Sequence, residues 1–353
     1  MEYHITALPG DGIGPEIMEA GLACLGTIAQ KFGHIFHVEK LPFGGDGIDK
    51  ENDPLPPKTL KACQNSDAIL LAAIGGSKWD NAPKRPEEAL LELRKTLGLY
   101  ANIRPVKVFS QIAHLSPLKE EIVRGTDLVV VRELTGGLYF GTPKHWDNKS
   151  GVDTLCYSRE EIYRIIHKAF TLAQNRRKKV ASIDKANVLS TSKLWRKIAN
   201  EISQEFPDVE LTHYYVDAAA MLLMQNPSRF DVIVTENLFG DILSDEASIL
   251  SGSLGMLPSA SFSLDGPSLF EPIHGSAPEL AGKNIANPIS MILSVAMLLR
   301  EAFQLEKEAC ALEKAVNDTL SSGILTQDLG GNAKTTELSK AIQERMIGGT
   351  QHG

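Results

Sequence analysis

The chain has 353 residues, 43% hydrophobic and 23% charged, with a formal net charge of −8 from 36 basic and 44 acidic side chains. That length accommodates two domains of ordinary size or one large lobed domain, and the proportions are those of a globular protein with sizeable cores. The acidic balance, with no Lys/Arg run longer than 176–179, excludes a nucleic-acid partner, because such binding depends on neutralising many phosphates.

The first eight residues read as a short strand entering a glycine turn, without the charged-then-apolar pattern of a secretion signal. Strand candidates are 3–8, 68–74, 127–134, 179–186, 210–216 and 231–235. Helix candidates lie between them. The one at 15–30 opens on Pro15, which suits a first helical turn. Another spans 87–97. A third runs to Gln174 from Ser158, which begins a Ser-x-x-Glu capping box closed by Glu161. After Asn287 the chain is nearly all helical, at 288–303, 306–321 and 336–346. Alternation of this kind is the α/β pattern. The longest apolar run, 289–299, is too short to span a membrane, and only the tail at 348–353 has an unstructured composition. The run at 176–179 reads as the solvated end of a helix. Cys24, Cys63, Cys156 and Cys310 lack metal-ligand or redox spacing and read as reduced thiols of a cytoplasmic protein.

The segment 135–158 interrupts the alternation. It is rich in glycine, aromatic and polar residues, and two short extended pieces around a turn fit a β-hairpin. With Tyr139, Phe140 and Trp146 on it, such a hairpin either reaches a partner subunit as an arm or folds back on its own domain. The loop Leu8-Pro-Gly-Asp-Gly-Ile-Gly-Pro-Glu16 resembles a phosphate-binding turn but places its glycines at 10, 12 and 14. That spacing is not the G-x-G-x-x-G fingerprint, and no Lys-Ser/Thr follows, so a tight strand-to-helix turn is the better reading.

Asp241 and Asp245 stand four apart on a helix expected to start near Phe239, so they share a face. Like charges at that spacing repel. Either the helix N-terminus tolerates them as a solvated acidic start, or a bound cation compensates them; oxygen-only ligands suit Mg²⁺ or Mn²⁺. Asp217, after the strand at 210–216, is a candidate third carboxylate. Arg132 and Lys185 also sit at strand ends, where sites form in open α/β sheets. Arg94 shares a helical face with Leu90 and Leu91, which suits a ligand with one charged and one apolar end. Arg104 follows in Asn-Ile-Arg-Pro. Taken singly, each arginine reads as a surface ion pair.

Seven segments, LPGDGIGPE, RPEEALLELRK, ANIRPV, VVVRELTGGLYFG, IDKANVL, TENLFGDILSDEAS and EPIHGSAPELAGKNIANP, together resemble the isocitrate/isopropylmalate dehydrogenase family, in that family's order and over nearly the whole chain. The resemblance implies a two-lobed subunit with a large mixed β-sheet flanked by helices, not a Rossmann fold, and a β-hairpin dimer arm at about 135–158. Residues 1–99 and 252–353 would form a nucleotide-binding lobe. Residues 100–251 would form the lobe for dimerisation, metal and substrate.

The implied activity is NAD-dependent oxidative decarboxylation of a 2-hydroxy diacid. Arg94, Arg104 and Arg132 would hold the substrate's carboxylates. Lys185 would be the general base and Tyr139 the acid that protonates carbon after CO₂ leaves. Asp217, Asp241 and Asp245 would bind Mg²⁺ or Mn²⁺. The site would be shared in a homodimer, with Lys185, Asn187 and Asp217 reaching it from the other subunit. NAD would lie against His274, Gly275, Ser276, Ala277, Pro278, Glu279 and Asn287. The family's NAD-dependent members usually carry Asp where this chain has Glu279, but either carboxylate accepts from ribose hydroxyls and repels a 2′-phosphate.

Glu87, Leu90 and Leu91 bear on the substrate. The γ-carboxylate of isocitrate would be costly to bury unpaired against two leucines, whereas an isopropyl group gains from them. A missing apolar group is rejected less strongly, by about 1–3 kcal/mol per methylene, which leaves D-malate and tartrate as slow substrates. Competing readings are a family enzyme acting on D-malate, tartrate, isocitrate or homoisocitrate, and a non-catalytic regulatory subunit, against which the intact Tyr139, Lys185 and three aspartates argue.

Overall fold

The computed structural model describes residues 1–348; of the tail expected to be unstructured, 349–353 lie outside the described residues. In chain order the strands are β1 (Glu2–Gly10), β2 (Ile35–Lys40), β3 (Ala68–Ala73), β4 (Ala101–Lys107), β5 (Asp127–Glu133), β6 (His145–Trp146), β7 (Gly151–Val152), β8 (Lys179–Asp184), β9 (Glu210–Tyr215), β10 (Val232–Thr235), β11 (Pro258–Phe262) and β12 (Ser268–Pro272). The chain divides into two units, Met1–Gly98 with the segment from Ser253 onward, and Leu99–Gly252.

In the first unit the strand order is β2-β1-β3-β12-β11, all parallel except β11, which runs antiparallel to β12. All six residues of β3 are buried, as a central parallel strand covered on both faces requires. The helix Ile289–Glu301 is buried at every position from Ile289 through Leu299. A helix apolar all round belongs in a core, and this one packs against the helices Gly14–Phe32 and Glu306–Ser321. Its two serines are satisfied internally: Ser290 Oγ donates to the Leu257 carbonyl, and Ser294 Oγ to that of Ser290 at 2.9 Å. Among the described residues no helix is long and apolar enough to cross a membrane.

In the second unit the order is β4-β5-β10-β8-β9, with β4 antiparallel to β5 and the rest parallel. The helix Arg159–Gln174 begins with the expected capping box: Ser158 Oγ accepts from the Glu161 N–H at 3.2 Å, and Glu161 Oε2 accepts from the Ser158 N–H at 2.7 Å. Of the basic run that follows, Arg177, Lys178 and Lys179 are exposed as expected, but its two arginines also face a buried acid. Arg176 Nε donates to the fully buried carboxylate of Asp231 at 2.9 Å, and Arg177 donates to the carbonyls of Asp127, Ser228 and Phe230. These arginines neutralise a buried acid that would otherwise be strongly unfavourable. β6 and β7 pair as a two-stranded hairpin whose turn is closed by Asp147, which accepts from the N–H groups of Lys149 and Ser150. Every residue of the two strands is exposed, Trp146 at 82%, so the described chain does not cover them. Cys24 and Cys63 are buried, Cys156 and Cys310 are exposed, and all four are free.

Candidate active site

The glycine loop is filled by protein. Asp11 is buried and its carboxylate accepts three backbone N–H groups, from Gly45, Asp46 and Gly75, each at 2.8 Å. The loop's own N–H groups are spent on carbonyls, those of Asp11, Ile13 and Gly14 donating to Ala73, Ser276 and Asp11, so they do not form a phosphate cradle. Burial raises the Asp11 carboxyl, and the three N–H groups it accepts from offset only part of that rise. Gly12 has φ +57°, and a Cβ on it would stand 2.0 Å from the Ser276 carbonyl. The Ile13 N–H donates to that same carbonyl at 2.7 Å, and Ser276 Oγ donates to Gly75 O at 2.7 Å. The loop therefore anchors the segment that carries His274 to Glu279.

Within that segment Ser276 is buried, Gly275, Pro278 and Glu279 are not, and Ala277 sits in the left-handed region at φ +37°. Burial lowers the His274 imidazole below its usual range, which favours the neutral ring. Asn287 is buried. Its Oδ1 accepts from the Ile289 N–H at 3.0 Å, satisfying a free donor at the start of the buried helix, and its Nδ2 donates to Asp328 at 2.9 Å. In this unit the helix Pro86–Thr96 buries Ala89 and Leu93, leaving Leu91 53% exposed. Glu87 lies 3.3 Å from Arg85, and Arg94 Nη2 donates to Glu271 at 2.8 Å. Glu271, on β12, is a partner that sequence reasoning missed because that strand was not expected. Arg94 Nε is buried with no hydrogen-bond partner among the described residues, a donor of the kind a ligand carboxylate accepts from.

In the second unit Arg132 stands near the end of β5, its side chain 8% exposed. Its Nε and Nη2 both donate to Asn237 Oδ1, at 3.1 and 2.8 Å, and its Nη1 donates to Asp241 Oδ1. Tyr139 Oη donates to the other Asp241 oxygen at 2.7 Å, and the Arg132 guanidinium lies 5.9 Å from the Tyr139 ring centre. Burial first, and then the Asp241 carboxylate, push the Tyr139 hydroxyl up to about 12, so it keeps its proton at neutral pH. On β4, Arg104 donates through Nε to Asn102 at 2.8 Å, and through Nη1 to Ser244 at 2.8 Å and Asp245 at 3.0 Å.

The helix bearing the two aspartates spans Asn237–Ser248 and is capped by Glu236, whose carboxylate accepts from the N–H groups of Leu238 and Phe239. It starts two residues earlier than expected, so neither aspartate lies in its first turn, and the dipole argument for tolerating them does not hold. The cations facing them, Arg132 at Asp241 and Arg104 at Asp245, offset the repulsion instead. Asn237 and Gly240 are further positions that sequence reasoning passed over. A Cβ on Gly240 would stand 2.6 Å from Arg132 Cγ, so the arginine stem needs a glycine there.

Lys185 and Asp217 form a separate pair. Lys185 Nζ donates to Asp217 Oδ1 at 2.5 Å and lies 6.0 Å from the Tyr215 ring centre. The lysine, above all through that hydrogen bond, lowers the Asp217 carboxyl. Neighbouring Asp184 is buried and held by Arg196 at 2.8 and 2.9 Å, which fixes the backbone where Lys185 branches. Among the described residues of one chain, no three His, Cys, Asp or Glu side chains come together as a metal site. Asp241 and Asp245 share a helix, while Asp217 pairs with Lys185. The all-carboxylate donor set has the chemistry that suits a hard divalent cation, with Asp241 and Asp245 each held by its own arginine.

The model of the isocitrate/isopropylmalate dehydrogenase family matches residues 4–342. The 3-isopropylmalate dehydrogenase of Listeria innocua is 65% identical over 99% of this chain and 100% of its own length, and that of Streptococcus thermophilus 61% identical over 97% and 99%. Among solved structures, the isocitrate dehydrogenase of Methylococcus capsulatus superposes with a TM-score of 0.85 at 35% identity, covering 98% of this chain and 99% of that one. A β-decarboxylating dehydrogenase of Thermococcus kodakarensis gives 0.83 at 36% identity, covering 98% and 96%. Matched across both units and carrying the arginine, tyrosine, lysine and aspartate clusters described above, the chain belongs to the isocitrate/isopropylmalate dehydrogenase family.

Proposed function

We propose that this chain catalyses the oxidative decarboxylation of 3-isopropylmalate to 4-methyl-2-oxopentanoate and CO₂, a step of leucine biosynthesis, with NAD as oxidant and Mg²⁺ or Mn²⁺ as cofactor. The observation that carries the reading is end-to-end identity of 65% and 61% to two relatives bearing that substrate's name. The exposed Leu91, on one helical face with Leu90 and Arg94, agrees with a substrate that is apolar at one end and anionic at the other.

We assign the substrate's carboxylates to Arg94, Arg104 and Arg132. Lys185 takes the hydroxyl proton. Tyr139, which holds its own proton firmly, delivers it to carbon once CO₂ has left. When bound, NAD accepts the hydride from the hydroxyl carbon, and the divalent cation stabilises negative charge on the adjacent oxygen. We assign the cation to Asp241 and Asp245 of one subunit and Asp217 of the other, and NAD to the segment from His274 to Glu279 with Asn287. A homodimer is supported by the exposed hairpin and by Met221 and Ile242, 60% and 57% exposed on the adjoining helices Val216–Gln225 and Asn237–Ser248. Initial rates with 3-isopropylmalate, D-malate and isocitrate, each with and without EDTA, test the assignment. Preferred, EDTA-sensitive turnover of 3-isopropylmalate is expected, whereas faster turnover of D-malate would overturn the substrate.

A further inference from the structure

We infer that Asn237 is a positioning residue that holds Arg132 in place without setting a further carboxylate against its charge; this rests on the reading of Arg132 as a carboxylate ligand. Asn237 is 1% exposed and is the first residue of the helix that carries Asp241 and Asp245. Its Oδ1 receives both the Nε and Nη2 donors of Arg132, its Nδ2 donates to the Gly136 carbonyl at 3.3 Å, and its N–H donates to Tyr157 Oη at 3.0 Å. Gly136 opens the turn that carries Tyr139. One buried amide thus fixes the arginine and ties down the tyrosine's turn.

The chemistry of the amide matters as much as its place. A carboxylate would grip the guanidinium in the same fork and cancel its charge, which the substrate needs. An amide oxygen aligns the fork without neutralising it. Asp241 already offsets part of the Arg132 charge, so a second carboxylate would leave little net field for an anionic ligand. One turn along the same helix Gly240 completes the seat, since any Cβ there would meet the Arg132 stem.

The test is steady-state kinetics of the purified dimeric enzyme carrying Asn237→Asp, a near-isosteric change, beside Gly240→Ala and Arg132→Lys. Asn237→Asp should raise KM for 3-isopropylmalate about tenfold to a hundredfold, the range that one interaction with a charged group covers, while KM for NAD stays near wild type; some thermal stability is lost as well, because the new carboxylate oxygen faces the Gly136 carbonyl to which the amide donated. A merely structural asparagine would show no such selectivity, and an unchanged substrate KM in Asn237→Asp would overturn the proposal. Should that variant not fold, Gly240→Ala, which presses a Cβ against the Arg132 stem, tests the seat directly, and an unchanged substrate KM there would also overturn the proposal. If Arg132→Lys itself leaves substrate KM unaltered, the reading of Arg132 fails. If it raises KM while Asn237→Asp does not, only the role of Asn237 fails.

Discussion

Tyr139→Phe removes a single oxygen. That oxygen donates to Asp241 at 2.7 Å, while the ring remains beside the Arg132 guanidinium. A hydrogen bond to a charged group contributes roughly 1.5–3 kcal/mol where solvent is excluded. Tyr139 is 39% exposed and Asp241 keeps its bond to Arg132, so screening should hold the loss of stability below about 1 kcal/mol. The effect on turnover should be much larger, because a positioned proton donor contributes about a hundredfold to ten-thousandfold. With ring and arginines in place, substrate KM should move little. The pH profile adds a second test. The hydroxyl is pushed up to about 12, and the acid form is the working one, so ionisation of Tyr139 should not limit kcat in neutral or mildly alkaline solution; its loss would be felt only as pH approaches that value. NADH absorbance gives kcat and KM, and a melting curve gives stability. A correctly folded Tyr139→Phe variant that turns over at the wild-type rate would refute the reasoning.

Four other perturbations probe separate parts of the account. Lys185→Ala should cut kcat by orders of magnitude without unfolding, since its partner Asp217 has a side chain 66% exposed; near-normal kinetics would contradict its role as base. Asp245→Asn should raise the Mg²⁺ concentration needed for half-maximal rate, and an unchanged metal titration would count against ligation. Gly12→Ala, forced against the Ser276 carbonyl in a left-handed conformation, should raise KM for NAD more than KM for the diacid; the reverse order would separate this loop from the cofactor segment. Leu298→Ala, in the fully buried helix, should cost about 2–5 kcal/mol in denaturant unfolding with KM values unchanged, and a cost under about 1 kcal/mol would show that core to be loosely packed.

What the sequence disclosed depended on how strongly each segment was patterned. The fully buried β3 and the strand Asp127–Glu133 stand out as apolar runs, and the Ser158 capping box is a local signal with its own geometry. β2 escaped because five of its six residues are exposed and it has no clean alternation. β11 and β12, short and punctuated by serine and proline, owe their strand state to neighbours far away in sequence. The same limit applies to the site. Asp241 and Asp245 are legible as a pair because helical spacing is local. Asn237 and Gly240 are not, because their meaning lies in Arg132, more than a hundred positions away. The basic run 176–179 was legible only as a largely solvated segment for a related reason: charge alone does not reveal the buried Asp231 that its two arginines face.

The central claim is that the two clusters, Tyr139–Asp241–Arg132 and Lys185–Asp217, act together only across a subunit interface. It is tested most directly by mixing inactive Tyr139→Phe and Lys185→Ala proteins under conditions that exchange subunits, and measuring NADH formation with 3-isopropylmalate. In a mixed dimer one site would carry both substitutions and the other neither, so activity should return in proportion to the mixed dimers formed. Mixed dimers that form but stay inactive would contradict the account.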